Sequence, residues 1–324
     1  MTTMQDIAGK ANVSRAAVSA VLNGNSQIRV SSKKREEILA IARQMNYRPN
    51  LLARSLVSRN TRTIGIYLCA PTDMFYAEML TAFQRELKAR NYAGHFVFWE
   101  NLADVQYAYD MGRGQRVDGI ITCHGDASML PAGVPAVIFG TKQSEVDSFF
   151  FDWDEIYRRY MEYLTSLGHR KIAFLGDEKT RGYQAVAIKK AGEKSGISVM
   201  TVPCKSIRRM SLPAANELLS LPLSERPTAV VGCNDVAALT FINAALSRHI
   251  RVPEDISVIG FDNIEESLYS AVPLTTAGLD LKKVSEDLFD RLFARMAQPD
   301  MPVTATAMVP ELVERASCMP LYDD

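Results

Sequence analysis

The sequence lacks any run of about eighteen or more apolar residues, and its first ten residues do not have the basic-then-apolar layout of a secretion signal. Only five cysteines occur in 324 residues, and no two of them form a CxxC pair. Neither a disulfide framework nor a zinc site is therefore indicated, and no cofactor is predicted. We expect an intracellular, cytoplasmic protein whose cysteines are mostly small buried side chains.

Catalytic signatures are also missing. The sequence contains no GxGxxG, GxxxxGKS, HExxH or GxSxG motif, and its four histidines (His95, His124, His169 and His249) are isolated from one another. These absences argue against an enzyme.

A net charge of zero conceals an uneven distribution of charge along the chain. Residues 1–62 hold eleven Lys or Arg against three Asp or Glu, a net charge of +8, so the remainder carries −8. A basic module on an acidic body is typical of a protein that binds a polyanion with one end. A membrane surface is the alternative partner, but these basic residues do not lie on one amphipathic helix with an aromatic face.

The first 48 residues have the pattern of three short helices. Thr3 and Asp6 form a capping pair for the first helix, Ser14 is the expected N-cap of the second, and the third spans about residues 32–45. Two short helices joined by a tight turn and followed by a third are the helix-turn-helix layout.

One face of the second helix has unusually small side chains. Apolar spacing predicts that Val13, Ala17, Val18, Val21 and Leu22 are buried, which leaves Arg15, Ala16, Ser19, Ala20 and Asn23 on the opposite face. Exposed helix faces normally carry long polar side chains. The small ones indicate close approach of another surface, either a helix of the same chain or a binding partner.

Residues 49–62 are predicted to be a short helix and an exposed linker. The segment RPNLLARSL is too short for a helix that is stable alone in water, so it should form only when something packs on it.

From residue 63 the pattern changes to an α/β body, and the length of the chain favours two or three domains. Short apolar runs begin at residues 63, 94, 117, 136, 171, 198, 229 and 256, and helical patterns at 75–91, 103–113, 155–167, 182–194, 212–219 and 235–246 lie between most of them. Such alternation predicts parallel sheets built from βα units. The segments RTIGIYLCAP and RKIAFLGDEK resemble each other, which hints at two similar halves with a ligand cleft at the strand ends.

The motifs MQDIAGKANVS, VSAVLNG, YRPNLLARSL, TRTIGIYL, LGHRKIAFLG, RVPEDISVIGFDN, PLTT and PELVERAS follow one another in this order. Together they resemble the lactose and purine repressor family of bacterial transcriptional regulators over nearly the full chain. The resemblance implies an all-α helix-turn-helix head (1–48), a hinge helix and linker (49–62), and a periplasmic-binding-protein-like core of two Rossmann-like subdomains (63–324). The N-subdomain is expected to comprise about 63–152 and 279–307, and the C-subdomain about 153–278 and 308–324.

The resemblance also implies DNA contacts. Arg15 can donate two hydrogen bonds to a guanine, whereas alanine offers only methyl contact, most naturally to a thymine methyl. Leu56 matches the hinge leucine that wedges between base pairs in the minor groove. Base edges would be contacted by Arg15, Ala16 and Ala20, phosphates by Ser14, Ser19, Asn23 and Asn25, and the minor groove by Asn50, Ala53, Arg54 and Leu56.

An effector pocket is expected at the strand ends of the core. Aromatic residues follow the first strand, where the family stacks its effector, and an arginine falls near the family's pocket arginine. Trp153 either stacks on a sugar ring or caps the core, while each polar candidate has an N-cap or loop hydrogen bond as its alternative role, Asp235 in particular. The candidates are Phe75, Tyr76, Trp153, Arg181, Asn234, Asp235 and Asp262.

We therefore expect a repressor that binds palindromic operator DNA as a homodimer under the control of a small molecule, with a sugar favoured. Because the chain ends without a heptad repeat, a dimer is favoured over a tetramer. The alternatives are an enzyme, which the missing motifs disfavour, and a periplasmic sugar-binding protein, which needs a secretion signal and no basic head.

Overall fold

The structure is a computed structural model that describes residues 2–23, 28–47, 60–69, 74–99, 104–114, 116–176, 178–204 and 208–321. The chain divides into two compact units, Met1–Thr61 and Arg62–Asp324. Within the described ranges, no helix is both long enough and apolar enough to cross a membrane.

The first unit contains the helices α1 (Met4–Ala11), α2 (Arg15–Asn23) and α3 (Ser32–Gln44). The Thr3 hydroxyl accepts the Asp6 N–H while the Asp6 carboxylate accepts the Thr3 N–H, so two donors that a helix start leaves unpaired are satisfied. The predicted three-helix head is confirmed. Its apolar stripes meet in one small core of Ile7, Ala8, Ala11, Val18, Val21, Ile38 and Ala42.

The second unit is an α/β core. Its strands are β1 (Thr63–Cys69), β2 (Ala93–Trp99), β3 (Gly119–Cys123), β4 (Ala136–Gly140), β5 (Asp147–Phe151), β6 (Lys171–Leu175), β7 (Ser198–Val202), β8 (Ala229–Gly232), β9 (Ser257–Ile259), β10 (Thr276–Gly278), β11 (Ala305–Met308) and β12 (Glu311–Val313). Its helices are α4 (Met74–Ala89), α5 (Val105–Arg113), α6 (Trp153–Ser166), α7 (Glu178–Ser195), α8 (Arg208–Leu219), α9 (Asp235–Leu246), α10 (Glu265–Tyr269) and α11 (Leu281–Ala297).

The described strands form two parallel sheets and one antiparallel pair. The first sheet has the order β11-β5-β4-β3-β1-β2, the second has the order β7-β6-β8-β9, and β10 pairs antiparallel with β12. Most central strands, such as β3 and β4, are buried along their whole length because helices cover parallel sheets on both faces. The predicted parallel α/β architecture is confirmed.

The prediction omitted several elements of the core, namely α10, α11, β5, β10, β11 and β12. Helix α11 had a readable signal, because Asp280 caps it and the apolar residues Leu288, Phe289 and Leu292 fall on its buried face. It packs against α4, β3 and β4 of the first sheet, although it follows the second sheet in the chain.

A buried ion-pair network fastens α11 to β5. The Asp147 carboxylate is buried and accepts hydrogen bonds from Arg291 at 2.7 Å, Arg295 at 2.9 Å and the Thr304 N–H at 2.9 Å. Burial opposes ionisation of this carboxyl, but the hydrogen bonds from Arg295 and Arg291 outweigh it and hold the pKa of Asp147 below its usual value.

Candidate nucleic-acid interface and ligand pocket

Helix α2 presents part of the predicted DNA-contacting face. Ser14 is exposed, and its Oγ accepts the Ala17 N–H at 3.1 Å, so it caps the helix as predicted. Arg15 and Ala16 are exposed and Ser19 is half-buried.

Ala20 corrects the sequence-based prediction of that face. It is only 3% exposed, although it was expected to face outwards. An α-helix turns about 100° per residue, so Ala20, seven residues after Val13, lies on nearly the same side as that half-buried apolar residue. The exposed face of α2 is therefore narrower than predicted, and Arg15 is its long polar side chain.

Several predicted DNA contacts lie outside the described residues. Nothing is described of Asn25, Asn50, Ala53, Arg54 and Leu56, nor of the side chain of Asn23.

The core contains a pocket of about 360 Å³, including space open to solvent, at the carboxyl ends of the parallel strands. Strand β3 contributes the residue after its end, β4 and β5 contribute residues at or near their ends, and α4 and α6 contribute residues of their first turns. This is the position predicted for a ligand cleft between the two sheets. The lining residues are Phe75, Tyr76, His124, Phe139, Phe151, Trp153, Phe261 and Asp262.

Aromatic rings form most of the pocket wall and run from the first sheet to the second. The Phe139 and Phe151 ring centroids are 5.7 Å apart, and Phe151 meets Phe261 edge to face at 5.4 Å. Trp153 lies 5.1 Å from Phe151 and 4.9 Å from Phe261. Such rings offer flat faces to the C–H surface of a sugar or to another ring.

The polar groups of the pocket lie on both halves. On the first, His124 Nε2 is 3.2 Å from the Tyr76 hydroxyl, which also accepts a hydrogen bond from the Cys123 thiol at 3.5 Å. A Cβ on Gly140 would lie 2.7 Å from the His124 ring, so glycine gives this ring its room. On the second half, the lining residue Asp262 carries a carboxylate, which is a hydrogen-bond acceptor.

Four sequence-predicted candidates, Phe75, Tyr76, Trp153 and Asp262, come together in this pocket. Sequence reasoning missed its remaining lining residues. For three of them the signal was position at the carboxyl end of a predicted strand, as in IITCH and VIFG, whereas Phe151 ends β5, a strand that was not predicted. The missed residues are His124, Phe139, Phe151 and Phe261.

Asn234 and Asp235 do not line the pocket, which corrects the prediction for both. Asn234 is buried and caps α9 by accepting the Ala237 N–H at 3.0 Å. The Asp235 carboxylate is fully buried and accepts the Ile264 N–H at 2.9 Å and the Thr276 hydroxyl at 2.5 Å. Both residues therefore have the alternative role of a cap or loop hydrogen bond. Asn234, rather than Asp235, is the helix cap, and Asp235 holds the loop.

Arg181 lies in α7, and its side chain is outside the described part of the chain. Among the described residues, no cluster of three His, Cys, Asp or Glu side chains is placed to hold a metal ion.

Comparison with known proteins identifies both units. Residues 3–50 match the family "bacterial regulatory proteins, lacI family", and residues 161–318 match a periplasmic binding protein-like domain. The HTH-type transcriptional repressor PurR of Vibrio atlanticus is 31% identical over 98% of each chain, and PurR of Vibrio cholerae is 30% identical over 97% of each chain.

The fold also matches a solved structure. The Lac repressor dimer bound to operator and the anti-inducer ONPF superposes with a TM-score of 0.84, at 24% identity, over 98% of this chain and 99% of that one. A helix-turn-helix head, a periplasmic-binding-protein-like core and full-length relatives thus point the same way. The chain belongs to the lacI family of bacterial regulatory proteins.

Proposed function

We propose that this protein is a cytoplasmic transcriptional repressor that binds a palindromic operator as a homodimer and is controlled by a small molecule in the core pocket. The observation that carries the proposal is that one lacI-family chain combines a basic N-terminal segment, residues 1–62 with a net charge of +8, and an aromatic-walled pocket at the strand ends. The PurR relatives are repressors by name, which supports the same direction of regulation. Catalysis is not part of the proposal.

Arg15 is the residue assigned to sequence reading. It is exposed at the first position of α2, where its guanidinium can donate two hydrogen bonds to a guanine in the major groove. Ala16 beside it is exposed and suits contact with a thymine methyl. Ala20 is buried, so its small side chain lets the helix approach the DNA closely but does not itself contact a base. Phosphates would be bound by Ser14, Ser19, Asn23 and Asn25, and the minor groove by Asn50, Ala53, Arg54 and Leu56.

Substitution of Arg15 tests this assignment. Arg15→Ala should cost about 1 to 3 kcal/mol in operator binding and relax the preference at one base pair of each half-site. The matched control is Lys10→Ala, which removes an exposed positive charge from α1 and should weaken binding about equally on all sequences. The measurement is a gel shift on a library of palindromic duplexes. An Arg15→Ala protein with unchanged base preference would refute the assignment, and no specific binding by the wild type would refute the repressor function.

The effector proposed is a sugar or sugar derivative. Flat rings such as Trp153 and Phe261 can cover the C–H face of a sugar, and Asp262 can accept hydrogen bonds from its hydroxyls. Arg181 remains a further candidate by its position in the family pattern. A thermal-shift panel of monosaccharides and nucleobases tests the class, with Trp153 fluorescence in a Trp99→Phe background as a second readout. A nucleobase that binds where no sugar does would overturn the sugar assignment, and no binding by any member would count against the pocket.

Dimerisation is proposed to involve the edge of the first sheet at β2. Phe96 and Phe98 are 38% and 42% exposed, and their rings stack with centroids 6.3 Å apart. Exposed aromatic residues on an edge strand favour association, and a second copy of the chain is the partner that a twofold operator requires.

The switch is proposed to be a change of cleft closure that alters the spacing of the two hinge helices in the dimer. Coupling free energy is reciprocal, so operator must change effector affinity by the same factor by which effector changes operator affinity. Isothermal titration of the best-binding compound into the free protein and into the operator complex measures the effector affinity in each state. Equal effector affinities in the two titrations would contradict the switch.

A further inference from the structure

The pocket loop at Phe261–Ile264 has an unfavourable backbone. Asp262, which lines the pocket, has a φ of 112°, and Asn263 after it has a φ of 53°. Two consecutive residues other than glycine with positive φ are uncommon, and such a conformation persists only where the surrounding structure holds it in place. The residues that hold this loop therefore determine where the Asp262 carboxylate lies.

One set of holding contacts comes from beneath the loop. Asp235 donates its backbone N–H to the Phe261 carbonyl at 2.6 Å, and its carboxylate accepts the Ile264 N–H at 2.9 Å. The Asp262 N–H donates to the Ala277 carbonyl of β10 at 2.8 Å. These contacts fix the two ends of the loop and one amide between them.

A second set comes from the segment after β12. Arg315 donates from Nη2 to the Asn263 Oδ1 at 2.5 Å, and from Nη1 to the Ser267 Oγ at 2.8 Å and the Leu274 carbonyl at 2.9 Å. It is the planar fork of the guanidinium that lets one side chain reach all three groups at fixed geometry. Arg315 does not line the pocket, and Asn263 is the residue of the Phe261–Ile264 loop to which its guanidinium donates directly.

We propose that Arg315 is a positioning residue for effector recognition, which acts through Asn263 to hold the Asp262 carboxylate in the pocket. The proposal rests on the proposed function in one respect, that Asp262 contacts the effector. It gives the PELVERAS segment a role in ligand binding, although this segment lies far in sequence from the residues that line the pocket.

Two variants separate the hydrogen bond from the fold. Arg315→Met removes the fork, while Asn263→Gly removes the amide side chain that accepts from it and adopts a φ of 53° without strain. In both, amide hydrogen exchange at residues 262–264 should accelerate about tenfold or more, equivalent to one lost hydrogen bond to a charged group. The tightest-binding compound of the sugar and nucleobase panel should bind about tenfold more weakly to both. Arg158→Met is the matched control, because it removes an exposed arginine of α6 that pairs with Glu155 and Glu162.

The outcomes distinguish this proposal from the proposed function. Faster loop exchange and weaker binding in both variants, with Arg158→Met unchanged, supports it. Unchanged exchange at residues 262–264 in Asn263→Gly overturns it, including where Arg315→Met does not fold. A wild type that binds no compound of the panel counts against the proposed effector pocket, while the exchange measurement still decides whether Arg315 holds the loop.

Discussion

Acidification should destabilise the core through one buried histidine, His169. Its side chain is 1% exposed, with Nδ1 2.9 Å from the Thr228 Oγ1 and Nε2 3.1 Å from the Ser257 Oγ. The Thr228 hydroxyl gives its proton to the Lys171 carbonyl at 3.2 Å, so it accepts a hydrogen bond from Nδ1. Nε2 then accepts the Ser257 proton, and the neutral ring is the form that satisfies both hydroxyls.

Burial lowers the pKa of His169 from the ordinary 6.5 to about 4, because desolvation disfavours the charged ring. Between these two pH values the unfolded chain binds a proton that the folded chain does not. The contribution of His169 to the free energy of unfolding is therefore complete above about pH 6.5, declines as the pH falls, and is fully lost below about pH 4. A shift of this size corresponds to about 3 kcal/mol in the free energy of unfolding.

Urea unfolding between pH 7.5 and 4 measures this contribution. The comparison is His169→Asn against His249→Asn, an exposed histidine whose φ of 59° asparagine also tolerates. Carboxylates titrate in all the proteins, so the difference between wild type and variant isolates the histidine. His169→Asn should be less stable at pH 7, and above pH 4 it should lose the wild-type slope of the free energy of unfolding against pH. His249→Asn should keep that slope. The same slope in His169→Asn as in the wild type would refute the reasoning.

Three further substitutions test the core. Asp147→Asn should lower the free energy of unfolding by about 3 kcal/mol in urea titrations, because it leaves two partly buried guanidinium groups without their countercharge. Phe96→Asp should shift the sedimentation of the protein towards the monomer, and an unchanged dimer would remove β2 from the interface. Gly140→Ala should weaken binding of the best panel compound by displacing the ring of His124, whereas Gly133→Ala, also at positive φ but with open space around it, should leave binding unchanged.

The head was predictable because its structure is set by local signals. The capping pair at Thr3, the cap at Ser14 and the apolar spacing located each helix within one or two residues, since capping and periodicity act within one turn of the chain. The one failure, Ala20, is also instructive. Its methyl group is compatible with both a core and a close-approach face, so residue type alone did not decide its burial.

The pocket was only half predictable because its composition depends on contacts between distant segments. Strand ends of a parallel sheet converge, which was sufficient to bring Tyr76 and Asp262 into one site. Asp235 also follows a strand, but its carboxylate turns to the Ile264 amide and to Thr276, which is 41 residues away in sequence. No local pattern distinguishes a carboxylate that faces a ligand from one that holds a loop.

The pocket also lies where the two sheets of the core meet, so a ligand bound there would act on both sheets. Phe151 belongs to the first sheet and Phe261 follows the last strand of the second, and their rings are in direct contact at 5.4 Å. Beside them, the Glu78 carboxylate of α4 accepts the Glu265 N–H at the start of α10, at 3.2 Å. Under the proposed switch, a ligand in this pocket would touch both halves at once, and its affinity would have to differ between an open and a closed cleft. That difference in affinity sets the largest shift in cleft closure that the ligand can cause.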